Sequence, residues 1–494
     1  MELQFQKSPI SCVATLLDNH REAEQTLELK LPEGMADVGT VLGAWGQTVV
    51  RGKEWSAGSV GVSGGVMAWV LYMPEDGASP LCVEGWLPFQ CRWDIPPTDR
   101  DGQIWVDAQL RCVDARCVSS RKLLVRSVVG LHVMALGEET YPIYTPEQVP
   151  EDVHLRKEQY MVNLPTEAGE KSFAIEEVQE LSGGKEVPEK LICLRAHPEL
   201  VDQKIIGSRM VFRGSFLVSG LCVGAEGVMW PLELELPFSQ YTELENDHEE
   251  NAQAHVCIAI TGLEVDPDPS GIKVKAGMTA QYTVYDCPVL ELVTDAYSTC
   301  REVKPMMESL TLPAVLDRAE QRLQATGGLP EDCDRVVDGI FYREPVEKQS
   351  EEGTVTAALA GKFQVLYCRA DGSWGCSSCR WEDTVSLPAA ESVNTDFCLV
   401  PTGNCQHSAG IVKADLRLMH QCQAGEAMEL AVGLELGEAT APDAGRPTLI
   451  LRTCGEQSLW ELAKATGSTV ERIQKANSLT GDPAPDKMLL IPVV

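Results

Sequence analysis

Two constellations in this 494-residue chain carry residue types that could do chemistry. Gly61-Val-Ser-Gly-Gly65 has the letters of a nucleophile elbow, where a serine stands on a sharp strand-to-helix turn with its hydroxyl exposed. Here VMAWVLYM follows from Val66 and reads as a second strand, so the pentapeptide is expected to be a glycine-rich turn. Cys376-Ser-Ser-Cys379, with Cys368, Cys398, Cys405 and His407 nearby, is the best metal candidate by spacing. A structural zinc site needs four converging thiolate or imidazole ligands, and a second C-x-x-C pair is missing. The pair follows a DGSWG turn, which leaves a metal site, a cross-link or two thiols that merely sit close together. The last reading is adopted, and no metal site is expected. The eight histidines are scattered, with no H-E-x-x-H pairing on a helix. No carboxylate pair stands out as an acid/base dyad, and phosphate-binding loops of the P-loop type are absent. No catalytic residue is therefore assigned, no cofactor is expected, and the chain reads as a non-enzyme.

The elements that would position any site come next. A chain this long exceeds one hydrophobic core and suggests three or four domains. With 44% hydrophobic and 23% charged residues it is globular rather than disordered. The net charge of −32 repels nucleic-acid phosphates and disfavours anionic membrane surfaces. Acidity is spread along the chain, and NDHEE at Asn246–Glu250 reads as a solubilising acidic loop. No apolar run approaches the roughly 18 to 20 residues that span a bilayer. The longest, Val62 to Met73, reads as buried strand. The N-terminal MELQFQKSPISCV lacks an apolar signal core, which places the protein in the cytosol of the cell that makes it. In a reducing cytosol most of the 18 cysteines should be buried thiols; in later oxidising surroundings they could cross-link.

The chain repeats itself with a period of about 150 residues. Pro32-Glu33, Pro188-Glu189 and Pro330-Glu331 each precede an apolar segment and a central strand: VMAWVLYM at Val66, SFLVSGLCV at Ser215 and GKFQVLYC at Gly361. Leu87-Pro88-Phe89, Leu236-Pro237-Phe238 and Leu387-Pro388 close the next strand. The turns PEDGAS, GAEG and RADGSWG between them suit hairpins. Beyond the closers, AQLRCVDARCVSSRKLLVRSVVGL from Ala108 and ADLRLMHQCQAGEAMELAVGLEL from Ala414 look alike, and the second repeat has the strand-like stretch from His255. The size and turn density predict three tandem β-sandwich or barrel-like domains, mainly β, at 21–138, 160–290 and 302–438. Linkers are expected from Tyr141, from Arg301 with a short helix over Ala314–Gln324, and from Leu436 to Thr448.

A different module fills 446–494. Ser458-Leu-Trp-Glu461 fits a capping box, with Leu459, Leu462 and Ala463 on one helical face and Gly467 as the left-handed terminator. Ser468-Thr-Val-Glu471 repeats the cap before a second helix whose apolar face is Val470, Ile473 and Ala476. TLILRT before and KMLLIPVV after read as strands, giving a small βααβ unit of α/β class.

This order resembles the LysM module: a Gly455-to-Leu459 turn, two helices, Asn477 ending the second, and a close on Leu490-Ile491-Pro492. The turn is one residue longer than the family's usual form. The resemblance implies a groove formed by Glu456, Gln457 and Ser458 on one side and Leu479, Thr480, Gly481 and Asp482 on the other, with Trp460 beside it. Trp460 and Leu479 also suit plain packing. Three acidic strand-rich repeats followed by such a module resemble the clostridial SPOCS-domain spore-coat morphogenetic proteins. The first repeat fits best; the second has LCV in place of VLY, and the third lacks the Phe of LPF. The resemblance implies a scaffold of the mother-cell cytoplasm at the forespore surface and spore coat, bound to other coat proteins and to a stage IV sporulation protein A-like coat ATPase. The alternative is a protein that grips N-acetylglucosamine polymers such as peptidoglycan at the spore cortex or cell wall.

Overall fold

The alternating apolar segments form strands almost throughout. The computed structural model describes every residue except 78, 182–185, 352, 389–393, 440–446, 454, 483–486 and 494, and leaves out the side chains of 226, 316–317, 394 and 423–426. After β1 (Glu2–Gln4) comes the long β2 (Gln6–Lys30), then a meander of β3 (Val38–Ser56), β4 (Ser59–Pro74) and β5 (Leu81–Asp94), then a hairpin of β6 (Gln103–Ser119) and β7 (Lys122–Thr145). Next are β8 (Val153–Met161), β9 (Leu164–Gln179), the meander β10 (Lys190–Ile206), β11 (Arg209–Val223), β12 (Met229–Glu243), and the hairpin β13 (Gln253–Asp268), β14 (Gly271–Asp286). Then follow β15 (Val289–Ser298), β16 (Val303–Gly328), the meander β17 (Arg335–Arg343), β18 (Glu347–Glu351), β19 (Thr354–Cys368), β20 (Trp374–Pro388), and the hairpin β21 (Asn394–Ser408), β22 (Ile411–Leu436). The chain closes with β23 (Leu449–Thr453), α1 (Leu459–Thr466), α2 (Val470–Asn477) and β24 (Met488–Pro492).

One strand order occurs three times. A first long strand pairs with the last strand of its unit, which pairs back to its hairpin partner: β2-β7-β6, β9-β14-β13 and β16-β22-β21. Between them lies a three-line meander: β3-β4-β5, β10-β11-β12, and β19 flanked by β20 and by β17 and β18 in turn. All described pairings are antiparallel. Each Pro-Glu step sits where the chain leaves the long strand for the meander. The two junctions between units pair as β15-β8, and Asp152 ties them by accepting from two of the three Arg301 guanidinium nitrogens at 2.7 and 2.8 Å. Burial pushes the Asp152 carboxyl up, but hydrogen bonds from Ser298 and Arg301 outweigh it and hold it at about 2. The segment from Tyr141 is thus strand at both ends, with only 146–152 between strands. Of the expected linker to the terminal module, 440–446 lie outside the described residues.

Four sequence expectations need correcting. Ala314–Gln324 is not helical; it is the middle of β16, paired with β22 along its length. Gly61–Gly65 is not a turn but strand interior in β4. An added Cβ at Gly64 would meet the Val49 carbonyl and the Phe89 ring, so glycine there permits close packing. Gly214 repeats the arrangement against Glu199 and Phe238. Only the third closer ends a strand: Leu387-Pro388 terminates β20, while Leu87-Pro88-Phe89 and Leu236-Pro237-Phe238 stand mid-strand in β5 and β12. The third is also out of register with the other two. Leu87 pairs with Val66, two residues after Gly64 and four before the Val70-Leu-Tyr72 triplet, and Leu236 pairs with Phe216, two after the matching Gly214. Four before Val365 stands Gly361, paired with Trp381, whereas Leu387 pairs with Val355. Lastly, the stretch from Ala108 spans the β6–β7 hairpin, whereas the one from Ala414 lies within the single strand β22.

Burial follows the meanders. Val66, Leu87 and Phe89 pack in the first unit, Phe212, Phe216 and Leu236 in the second, and Phe363 and Trp381 in the third. Each fully buried residue of this size contributes about 1.5–3 kcal/mol. The second unit's cluster also takes in Trp45, Trp69 and Leu71 of the first and Val337 and Leu366 of the third, so the units share apolar core. Among the described residues no helix is long and apolar enough to cross a membrane.

Candidate functional site

The terminal βααβ module carries the residues expected from sequence to flank a groove. Ser458 caps α1: its hydroxyl accepts from the Glu461 N–H at 3.3 Å, and its own N–H donates to Glu461 Oε2 at 2.8 Å. Gly467 ends α1 at φ +66°, in the left-handed region. The second cap falls one residue later than expected. Thr469, not Ser468, accepts from the Arg472 N–H, while Ser468 donates to the Pro492 carbonyl. Ile473 is buried, but Ala476 is exposed, so the α2 apolar face is narrower than the sequence suggests. Asn477 clamps α2 to β24, donating to the Ile473 carbonyl at 2.8 Å and the Leu490 carbonyl at 2.6 Å and accepting from the Leu490 N–H at 2.8 Å.

The two loops expected to flank the groove meet. Asp482 accepts from the Leu459 N–H at 2.8 Å, joining the loop after α2 to the start of α1. Glu456, Thr480 and Gly481 are exposed, Leu479 packs half-buried beneath, and Gln457 accepts from Arg452 at 3.0 Å. Trp460 is engaged elsewhere. Its indole N–H donates to Asp295 of β15 at 2.8 Å, and its ring meets Tyr297 edge-on at 4.8 Å. Lys464 also reaches Asp295, at 2.6 Å. Burial pushes the Asp295 carboxyl up, but these two donors outweigh it and hold it below its ordinary range. Tyr297 is buried in the module's own core with Leu462, Ile473 and Ile491.

A second site was not foreseen. Where the three strand units meet, a cavity of about 1370 Å³ opens, lined in each unit by the first strand of the meander and the first strand of the hairpin. Five of the eight histidines line it: His20, His132, His197, His255 and His420. Its walls are held by side chains that complete backbone bonding across units. Gln47 accepts from the Ala196 N–H at 2.7 Å, Gln364 donates to the Ala44 carbonyl at 2.9 Å, and Gln281 bonds both backbone groups of Val106. Arg195 and Asp338 form a bidentate pair at 2.8 and 2.7 Å, with both side chains under a tenth exposed. Asp107 pairs with Arg343 at 3.1 Å, and Arg111 donates to the Arg343 carbonyl at 2.8 Å. Burial together with neighbouring arginines pushes His197 down to about 4 and His255 to about 3, keeping both neutral.

On one wall His20 and His132 stand directly opposite across β2 and β7, their rings stacked at 4.0 Å, and His132 Nε2 lies 2.8 Å from Asp18 Oδ1. Trp105 meets the His132 ring edge-on at 5.4 Å. Burial and then His132 hold His20 below the ordinary imidazole range. The Asp18-x-His20 alternation was the available signal, since both side chains fall on one face of a strand. His132 is brought in only by a pairing more than a hundred residues away.

The cysteine pair makes no comparable site. Three residues apart on β20, Cys376 and Cys379 point to opposite faces. The first packs against the second unit's cluster and the other against the third's. Burial pushes both thiols up, Cys376 to about 11. All described cysteines are free thiols. The NDHEE loop is pinned rather than merely solvated. His248 is buried between Asp286, 2.7 Å from its Nδ1, and Glu167, 3.3 Å from its Nε2. No protein-family model, curated protein or solved structure matches this chain.

Proposed function

We propose that the chain is a non-catalytic scaffold of endospore coat assembly: three SPOCS-type repeats followed by a LysM module that recruits it to a stage IV sporulation protein A-like coat ATPase. The observation that carries this reading is the terminal module. Its strand-helix-helix-strand order and the position of Asn477 at the end of α2 support the LysM likeness, and Asp482 joins the loop after α2 to the start of α1. The threefold recurrence of one strand order in the body supports tandem repeats. The exposed rim formed by Glu456, Thr480 and Gly481 leaves a face for a protein partner at the forespore surface.

The test is a pull-down from sporulating-cell lysate with the full chain and with a Thr480→Arg/Gly481→Arg variant of the rim. The coat ATPase should be captured by the former and lost by the latter. Equal capture by both would move recruitment to the repeats. Retention on peptidoglycan sacculi, with no ATPase captured, would favour the glycan-binding alternative instead.

A further inference from the structure

We propose that Asp18, His20 and His132 form a binding site for one divalent transition-metal ion of borderline softness, such as Zn²⁺, Co²⁺ or Fe²⁺, with its remaining coordination positions open to the central cavity. This goes beyond the scaffold reading and stands independently of it.

The argument begins with pairing. Directly opposed residues of antiparallel strands project from the same face, and so does a residue two positions along. His20 and His132 are opposed, and Asp18 lies two positions before His20. A β-bulge between Thr15 and Leu17 precedes them, which resets the alternation of β2 relative to β7 just ahead of the cluster. One ligand atom from each of the three residues lies within 4.8 Å of the other two, and among the described residues no other such group occurs. Two imidazoles and one carboxylate are the donor set that holds non-haem iron, zinc and cobalt while leaving positions free. The short contact between His132 Nε2 and Asp18 is the one an ion would replace, with each atom turning to the metal.

The surroundings favour the same occupant. Access is open, because all three residues line the cavity. The Trp105 edge fixes the His132 ring from the side, and Asp107, directly across β6 from His132, is engaged by Arg343. Two cations stand nearby: Lys348 of the third unit, which pairs with Asp396 at 3.0 Å and also attracts the Asp18 carboxylate, and Arg111, which acts on His20 and donates to the Arg343 carbonyl. The thiols that line the cavity, Cys257, Cys398 and Cys405, are pushed up by burial and stay protonated, so they are poor rivals for the ion.

The reduced, metal-stripped full chain is titrated with Co²⁺ under anaerobic conditions and followed by absorption. Zinc content is measured by mass spectrometry after equilibrium dialysis. The expected result is one equivalent bound, with ligand-field bands and no intense thiolate-to-cobalt charge transfer. His20→Ala/His132→Ala should abolish that equivalent. Asp18→Asn should weaken it by at least about 10- to 100-fold, the range already found when only an outer-shell partner is lost. If the double variant fails to fold by circular dichroism, the near-isosteric Asp18→Asn decides. No binding by the wild type, a thiolate spectrum, or unchanged affinity in Asp18→Asn would each overturn the proposal.

Discussion

Around the cavity the strand units meet through buried charged and polar groups. Among the described residues the terminal module meets the body at Tyr297 and Asp295, with Trp460 and Lys464 reaching across to them. Arg195–Asp338 is buried and bidentate, so removing one partner strands the other charge in a poorly solvated place. The Asp295 contact is part-exposed on both sides, and its Lys464 partner is 43% exposed. Solvent takes over much of that interaction when it breaks. The difference teaches that the units of the body are tied by buried charge pairs as well as shared apolar core, while the only ion pair joining module and body among the described residues is part-exposed and stands beside the buried Tyr297.

The largest effect that would break this comparison is in the body. Asp338→Ala should cost about 3–5 kcal/mol and lower the urea midpoint of the body as a whole. A variant that loses only the third unit's signal, or none, would mean that the units unfold separately. Next comes the clamp within the module. Asn477→Ala removes bonds to Leu490 and should cost about 1–2 kcal/mol, read by the module's thermal transition with the body's unchanged. Ser458→Ala should cost about 1 kcal/mol in the same transition by removing the N-cap.

The smallest effect sharpens the contrast at the junction. Asp295→Asn should cost no more than about 1 kcal/mol in either transition, yet shift Trp460 emission to the red as the indole meets water. The pH dependence has a fixed sign. A carboxyl held below its ordinary value of 3.8 contributes stability that is complete above that value and lost as pH falls through its folded-state value. Trp460 emission should therefore be flat at neutral pH and shift only under stronger acid. A shift near neutral pH would assign the contact to another group.

Local features were legible in the sequence and non-local ones were not. The Ser458/Glu461 box and the Gly467 terminator depend on residues within one turn of each other, and both appear where the spacing put them. AVLDRAEQRLQ has the composition of a helix, but β22 offers hydrogen bonds along the entire segment, and pairing overrides propensity. The Leu-Pro-Phe triplets of the first two units stood out because Pro and Phe mark them, though they lie mid-strand and do not close β5 or β12. Trp381 carries no such mark, and only register shows that it occupies the place of Leu87 and Leu236. The groove around Asp482 could be approached from family likeness. The histidine cluster could not, because scanning for helical spacing misses a pair made by a cross-strand ladder.

Tyr297 has one further consequence. It belongs to β15 by sequence and to the terminal module by packing, so the two share a single hydrophobic seam. Cutting the chain ahead of the module would leave that phenol and its neighbours as a raw apolar scar on the body. Such a truncated chain is prone to self-association, and its failure to capture a partner would reflect clumping as much as a missing contact. Point changes at the rim, which leave the seam covered, separate solubility from recognition.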